Sequence, residues 1–179
     1  ALKGQQAGLL HQPREKEDPL HVKKVALSIA EHNLLQVPLG RRNNGRVELA
    51  FGHTRHAAYK WLEDVKDHSN LEGDWSKLPV DLRDLSDLQM FEFGISENVA
   101  RKDLSPIEEA KAMQTYRERF GKSSTEIGAL FGLSDSAVRN KIRLVELPEE
   151  EQEALREGKM LEGAGRELLS LYSLPQQIL

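Results

Sequence analysis

The sequence predicts an α+β protein in two parts, a small α/β domain over residues 1–102 and an all-helical domain over 103–179. Three observations carry this. The first half alternates helical spacing with short extended runs, and the helix-start signal Ser105-Pro106-Ile107-Glu108 opens a second half without strand patterns. Within that half, two short helical segments meet across Gly132. With 179 residues and 39% hydrophobic content, the chain has enough apolar material to pack a core.

From Pro19 to Asn33, Leu20, Val25, Leu27, Ile29 and Ala30 fall at mostly helical spacing. Leu34 to Leu39 and Val47 to Phe51 read as short strands joined by the turn signal Asn43-Asn44-Gly45. A helix is expected from about His53 to Asp67, then a surface loop over Asp67 to Lys77, where Ser, Asn, Gly and Asp gather. Leu78 to Leu82 reads as a strand, and Ser86 to Arg101 as a helix with an aspartate in its first turn.

Ser105, Pro106 and Glu108 then form a capping box, in which serine oxygen and glutamate carboxylate satisfy backbone NH groups left open at a helix start. Ser123 and Glu126 repeat it. In the helix that follows, Ile127, Leu130 and Phe131 make the apolar stripe, Gly132 supplies a left-handed end, and Leu133 plugs the corner. Ser134 caps the next helix, Asp135 to about Leu147, along which Val138, Ile142 and Val145 share one face and Ser136, Arg139, Asn140 and Arg143 another. One stripe packs, and the other is offered outward.

This is a helix-turn-helix pattern whose outward stripe suits DNA. Arginine bonds guanine O6 and N7 together, asparagine bonds adenine N6 and N7, and a capped helix start holds a backbone phosphate. Arg139 and Asn140 are the candidates for base edges, with Ser136 and Arg143 beside them. Lys122, Ser124, Thr125, Ser134 and Lys141 are the candidates for the backbone. The net charge of −4 does not advertise a nucleic-acid binder, but Lys111 to Arg143 holds seven basic residues against three acidic ones. An ordinary solvated face on a three-helix core is the competing explanation. The acidic run Glu146, Glu149, Glu150, Glu151 and Glu153 reads as a solvated face or a partner surface.

Absence of cysteine excludes disulfides, thiolate metal ligands and a cysteine nucleophile. No apolar run is long enough to span a membrane, and the start at Ala1 to Gln6 lacks the apolar core of a signal peptide, so a cytoplasmic location without membrane association is expected.

A second polar concentration lies at Gly52-His53-Thr54-Arg55-His56, where a strand gives way to a helix. Glycine permits close backbone approach, a helix N-terminus offers open NH groups, and Arg55 can form paired bonds to phosphate. The same residues also fit a helix start that caps and solvates itself, so an anion site and a plain cap both stand. His53 and His56 share a helix face, without an evident third metal ligand. Glu97-Asn98-Val99-Ala100-Arg101 places a carboxylate, an amide and a guanidinium near a helix end; this is either an i,i+4 ion pair or a source of hard oxygen ligands for Mg²⁺.

These residues together resemble the ParB family of chromosome- and plasmid-partitioning proteins. Four blocks agree in order: His11-Gln12-Pro13-Arg14 with the family's QPR, Gly52 to Ala58 with GERRxRA, Glu97 to Arg101 with ENxxR, and Leu104 to Ala110 with LxPxEEA. The helix-turn-helix and Gly163-Ala164-Gly165-Arg166 also fall where the family has them, Arg166 joining the DNA candidates. The resemblance implies a ParB/sulfiredoxin-like first domain that binds CTP with Mg²⁺, and a second domain that binds a palindromic centromere-like site in double-stranded DNA. It also implies nucleotide-driven closure of two chains into a sliding clamp, slow CTP hydrolysis, a partition ATPase as partner, and a nucleoid- or plasmid-associated location. Carried onto matching positions, Arg14, Gly52 and Arg55 contact phosphates, with His53, Thr54 and His56 in the same block. Asn98 and Glu97 serve the metal, Glu97 supports hydrolysis, and Arg101 holds the phosphate pocket together.

The sequence departs from GERRxRA at three positions, with His53 for glutamate, Thr54 for the first arginine and Ala57 for the last, two positive charges fewer. The loop at Asp67 to Lys77 is longer than usual and is expected to reshape the base pocket. The block is also similar to the ATP segment of sulfiredoxins, whose chemistry requires a cysteine absent here; an ATP-using hydrolase or nuclease remains an alternative. A transcriptional adaptor with a degenerate nucleotide site is another. The family's C-terminal dimerisation domain is not within the 179 residues, which implies a truncated chain or a divergent member, and the start just before QPR suggests trimming.

Overall fold

A computed structural model describes residues 18–65, 71, 73–101 and 104–172. The elements are α1 (Pro19–His32), β1 (Leu39–Asn43), β2 (Arg46–Phe51), α2 (His53–Val65), β3 (Asp81–Leu82), α3 (Asp87–Arg101), α4 (Pro106–Phe120), α5 (Ser124–Phe131), α6 (Asp135–Ile142), a 3-10 turn (Arg143–Glu146), α7 (Glu149–Arg156) and α8 (Glu162–Tyr172). They divide into two compact units, Ala1–Gly94 and Ile95–Leu179. The boundary expected at 102/103 lies outside the described residues.

In the first unit, the sheet has the order β2-β1-β3, with β1 antiparallel to β2 and parallel to β3. Asn43 pairs with Arg46, leaving Asn44 and Gly45 as a two-residue turn with φ of 49° and 75°. Both positive values match the hairpin turn that follows strand twist. The turn pulls the first strand toward itself: it occupies Leu39–Asn43 rather than the expected Leu34 to Leu39. Apolar runs alone misplaced it because three of the five residues of β1 are polar. Arg41 explains that polarity. Its guanidinium, 13% exposed, bonds Glu48 Oε2 at 3.0 Å, Leu85 O at 2.9 Å and Asp87 Oδ1 at 2.6 Å, tying the hairpin to the start of α3.

α1 packs on α2 through Ala26, Ile29, Ala58, Tyr59 and Leu62, with Trp75 completing the cluster at 7% exposure. The segment expected as a surface loop is therefore anchored in the core by Trp75, with Leu71 packed against the same cluster. Asp74 shapes the approach, its Oδ1 accepting from Ser76 N at 3.0 Å and Ser76 Oγ at 2.6 Å. Averaged over the loop, polar residues conceal a single tryptophan.

In the second unit, both capping boxes form: Glu108 Oε2 accepts from Ser105 N at 2.8 Å, and Glu126 Oε2 from Ser123 N at 2.9 Å. Ile107 and Ala110 of α4 meet Leu144, Leu147, Leu155 and Leu169 in one core. The expected helix from Asp135 to Leu147 is α6 followed by the 3-10 turn. Pro148 is the physical cause: a residue before proline avoids helical ψ, and Leu147 is extended at ψ 147°. Gln152, 7% exposed, donates to Val145 O at 3.0 Å and Leu147 O at 2.7 Å, satisfying carbonyls released there.

Truncating Trp75→Ala should lower unfolding free energy by about 3–5 kcal/mol, the usual cost of emptying a buried aromatic site. Urea titration followed by circular dichroism measures it; a change below about 0.5 kcal/mol would restore the surface-loop reading.

Candidate nucleic-acid interface and anion corner

The helix-turn-helix is built by space as much as by pattern. Gly132 ends α5 at φ 70°, and Leu133 N donates to Gly128 O at 2.9 Å across the corner. A Cβ on Gly128 would stand 2.3 Å from Leu133 O, so only glycine lets the turn close against α5. The sequence pattern had marked Gly132 and passed over Gly128. Ser134 Oγ accepts from Ala137 N at 3.3 Å and so caps α6, while Val138 and Ile142 are buried.

Ser136, Arg139, Asn140 and Arg143 all stand exposed on α6 and the turn after it, and Thr125 and Arg166 are exposed on α5 and α8. Ser124, the first residue of α5, is half-buried. Arg139 is 60% exposed and paired with Asp135, one turn earlier. Lys122 reaches Glu126 at 3.1 Å and lies 5.9 Å from the Tyr116 ring. The Ser123 backbone NH and hydroxyl, then Lys122, hold the Glu126 carboxyl at about 2, below the usual 4.5. Its folded pKa is depressed, so the stabilisation is present above the usual value and lost as pH falls through about 2.

Lys141 is placed differently from its neighbours on α6. Expected beside a DNA phosphate, it is 11% exposed, and its Nζ pairs with Glu109 of α4 and with Glu162 of α8 at 3.0 Å. Burial draws its pKa down, but bonds to Glu109 and Glu162 outweigh this and raise it, so the ammonium is charged throughout the neutral range. The helical wheel explains the placement. At about 100° per residue, Lys141 lies about 60° from Val138, next to the packed stripe and away from Arg139 and Asn140. Its charge suggested the outer face; its angle assigns it to the inner one. Sequence spacing does not indicate Glu109 or Glu162 as its partners.

In the first unit, Gly52 is buried at φ 94°, and a Cβ there would meet Pro38 at 2.7 Å. α2 starts at the next residue, with His56 N donating to Gly52 O at 3.1 Å. Gly52 has no side-chain oxygen to cap with, unlike Asp18, Ser105, Ser123 and Ser134 at their helices. His53, Thr54, Arg55 and His56 are half-buried on the first turn. Arg55 Nη2 donates to Gln36 Oε1, a partner that the sequence pattern had not indicated. Burial, then the charge of Lys60, lowers the His56 pKa, so this imidazole is neutral at neutral pH and leaves Arg55 as the fixed charge of the block.

Glu97 and Asn98 are adjacent and half-buried on α3, in the second unit. Arg14 and the Arg101 side chain lie outside the described residues. Among the described residues no three or more His, Asp or Glu gather to hold a metal ion. A carboxylate and an amide oxygen nevertheless fit Mg²⁺, which usually takes one or two protein oxygens and completes its shell with phosphates and water. Nor is any described helix long and apolar enough to cross a membrane.

Residues 102–179 match the family model described as the ParB HTH domain. The chain is 35% identical over 160 residues to the chromosome-partitioning protein Spo0J of Thermus thermophilus, covering 89% of this chain and 55% of that protein. It is 32% identical over 169 residues to the nucleoid occlusion protein of Bacillus subtilis, covering 93% and 56%. The chain thus spans about half the length of the curated relatives it matches. Among solved structures, it is similar to C-terminally truncated ParB of Caulobacter crescentus complexed to the centromeric parS site, with a TM-score of 0.59 and 30% identity over 89% of this chain and 78% of that one.

Two substitutions separate the roles on α6. Arg139→Ala should leave stability nearly unchanged and cost about 1–3 kcal/mol of binding to a cognate duplex. Lys141→Met should instead lower stability by about 3 kcal/mol, because it strands two carboxylates, with little change in the affinity of the folded protein. Denaturant titration and fluorescence anisotropy on the same variants decide between them; a stable Lys141→Met protein with weakened binding would return Lys141 to the interface.

Proposed function

The chain belongs to the ParB family, and on that premise we propose that it is a DNA-partitioning protein that binds a palindromic, centromere-like duplex and is governed by CTP. The observation that carries the DNA reading is the exposed row Ser136, Arg139, Asn140 and Arg143 on a capped helix behind a closed corner. Arg139 and Asn140 present paired donors and acceptors to base edges, while the starts of α5 and α6, with Lys122 and Arg166, face the backbone. Asp135 and Glu126 hold Arg139 and Lys122 in exposed pairs of little net energy, which a phosphate or guanine readily replaces.

The nucleotide reading assigns CTP phosphates to Arg14, Gly52, His53, Thr54, Arg55 and His56. In support, the glycine leaves room at the start of α2, and the adjoining turn carries a guanidinium. Glu97 and Asn98 would hold Mg²⁺, which neutralises phosphate charge when bound; Glu97 would also direct water for slow hydrolysis, and Arg101 would brace the pocket. In this reading two chains close as a clamp on DNA, a partition ATPase acts on them, and the protein works in the cytoplasm on nucleoid or plasmid. The loss of two positive charges at Thr54 and Ala57 favours one second reading, a DNA-binding adaptor whose corner takes no nucleotide.

Calorimetry with CTP, ATP, GTP and UTP, with and without Mg²⁺, tests the choice. CTP should bind alone of the four, with Mg²⁺ dependence. Arg55→Ala should weaken it by about 1.5–3 kcal/mol, and Glu97→Ala should act on hydrolysis and metal dependence more than on binding. ATP binding would favour a ParB-fold hydrolase or nuclease, and no binding the adaptor. Because the His56 pKa is lowered, any gain in affinity from its protonation should begin only below about pH 6.5.

A further inference from the structure

Arg55 and Gln36 meet although 19 residues separate them, and the hydrogen bond between Nη2 and Oε1 belongs to the anion corner itself. The chain around Gln36 is fixed from one side. Pro38 is buried against Gly52, its carbonyl accepts from Asp81 N at 2.9 Å, and β1 begins one residue later. Gln36 therefore sits two residues from the point where the segment touches the glycine of the corner. Its own neighbours do not hold it in the interior: Leu35 is 85% exposed and Val37 42%. Anchorage at Pro38 brings the amide over the first turn of α2, where it grips the guanidinium.

We propose that Gln36 is a positioning residue for Arg55, a neutral acceptor that orients the guanidinium for phosphate without neutralising it. This rests on the reading of Gly52–His56 as a phosphate site. The chemistry favours an amide here. An arginine offers five donors in one plane, and an amide oxygen engages one of them, restricting rotation and leaving the charge intact. A carboxylate in the same place would pair with Arg55 and compete with the incoming anion. Fixing a long side chain before binding also reduces the ordering that binding must otherwise impose. Arg55 is the permanently charged side chain of this turn, and its direction matters accordingly.

The test is a double-mutant cycle on CTP binding in the presence of Mg²⁺, using Gln36→Ala, Gln36→Glu, Arg55→Ala and the double variant Gln36→Ala/Arg55→Ala. Gln36→Ala should weaken CTP about threefold, and Gln36→Glu about tenfold, the size of one charge-assisted hydrogen bond. In the Arg55→Ala background, Gln36→Ala should have no further effect, a coupling that a general loss of stability would not give. Melting temperature, measured on each variant, should match the parent. If Arg55→Ala weakens CTP but Gln36→Glu does not, or if the two losses simply add, the positioning role is overturned and the phosphate site stands. If Arg55→Ala leaves CTP affinity unchanged, the phosphate reading itself falls and the role of Gln36 with it.

Discussion

The ammonium of Lys141 joins three helices of the second unit, reaching Glu109 on α4 and Glu162 on α8 from within α6. Helix α6 is only eight residues long, too short to be stable by its own backbone hydrogen bonds, so its orientation has to come from what it packs against. Val138 and Ile142 supply apolar contact, which fills space but tolerates sliding. The lysine adds directional bonds on one flank of that stripe. Rotation of α6 about its axis would pull Nζ from both carboxylates, so the cluster also sets which way Arg139 and Asn140 face. Such a cluster is weak evidence for stability gained over an apolar replacement; its contribution here is orientation.

The two glutamates of the Leu104–Ala110 block divide this work. Glu108 closes the capping box that starts α4, and Glu109, one residue on, reaches α6. One short sequence block thus fixes both where α4 begins and how the reading helix is held. Gly128 acts at the other end of α6, by leaving room for Leu133 O. Beyond α6, Gln152 holds the 3-10 turn through two backbone carbonyls. The exposed row is the remainder, what is left on the surface once these contacts have fixed the helix.

Local signals were legible in the sequence where local chemistry decides. The capping residues Ser105, Ser123 and Ser134, the glycine end of α5 and the outward row on α6 each depend on neighbours within a few positions, and each is found where the pattern placed it. What was missed depends on distant partners. Arg41 gave no hint of Asp87, nor Lys141 of Glu162, and Gln36 none of Arg55. Trp75 was lost in a polar average, and β1 was misplaced because three of its five residues are polar. For Lys141 the information was present as a helical angle and was outweighed by its charge.

Titration of isotopically labelled protein with a palindromic cognate duplex, followed through side-chain NMR signals, tests the central claim most directly, because it observes both flanks of α6 at once. The guanidinium signals of Arg139 and Arg143 and the amide of Asn140 should shift on binding, while the ammonium of Lys141 keeps its position and its protection from exchange. Movement of the Lys141 signal with Arg139 and Asn140 unperturbed would mean that α6 presents its other flank to DNA, and that the ion cluster does not set its orientation.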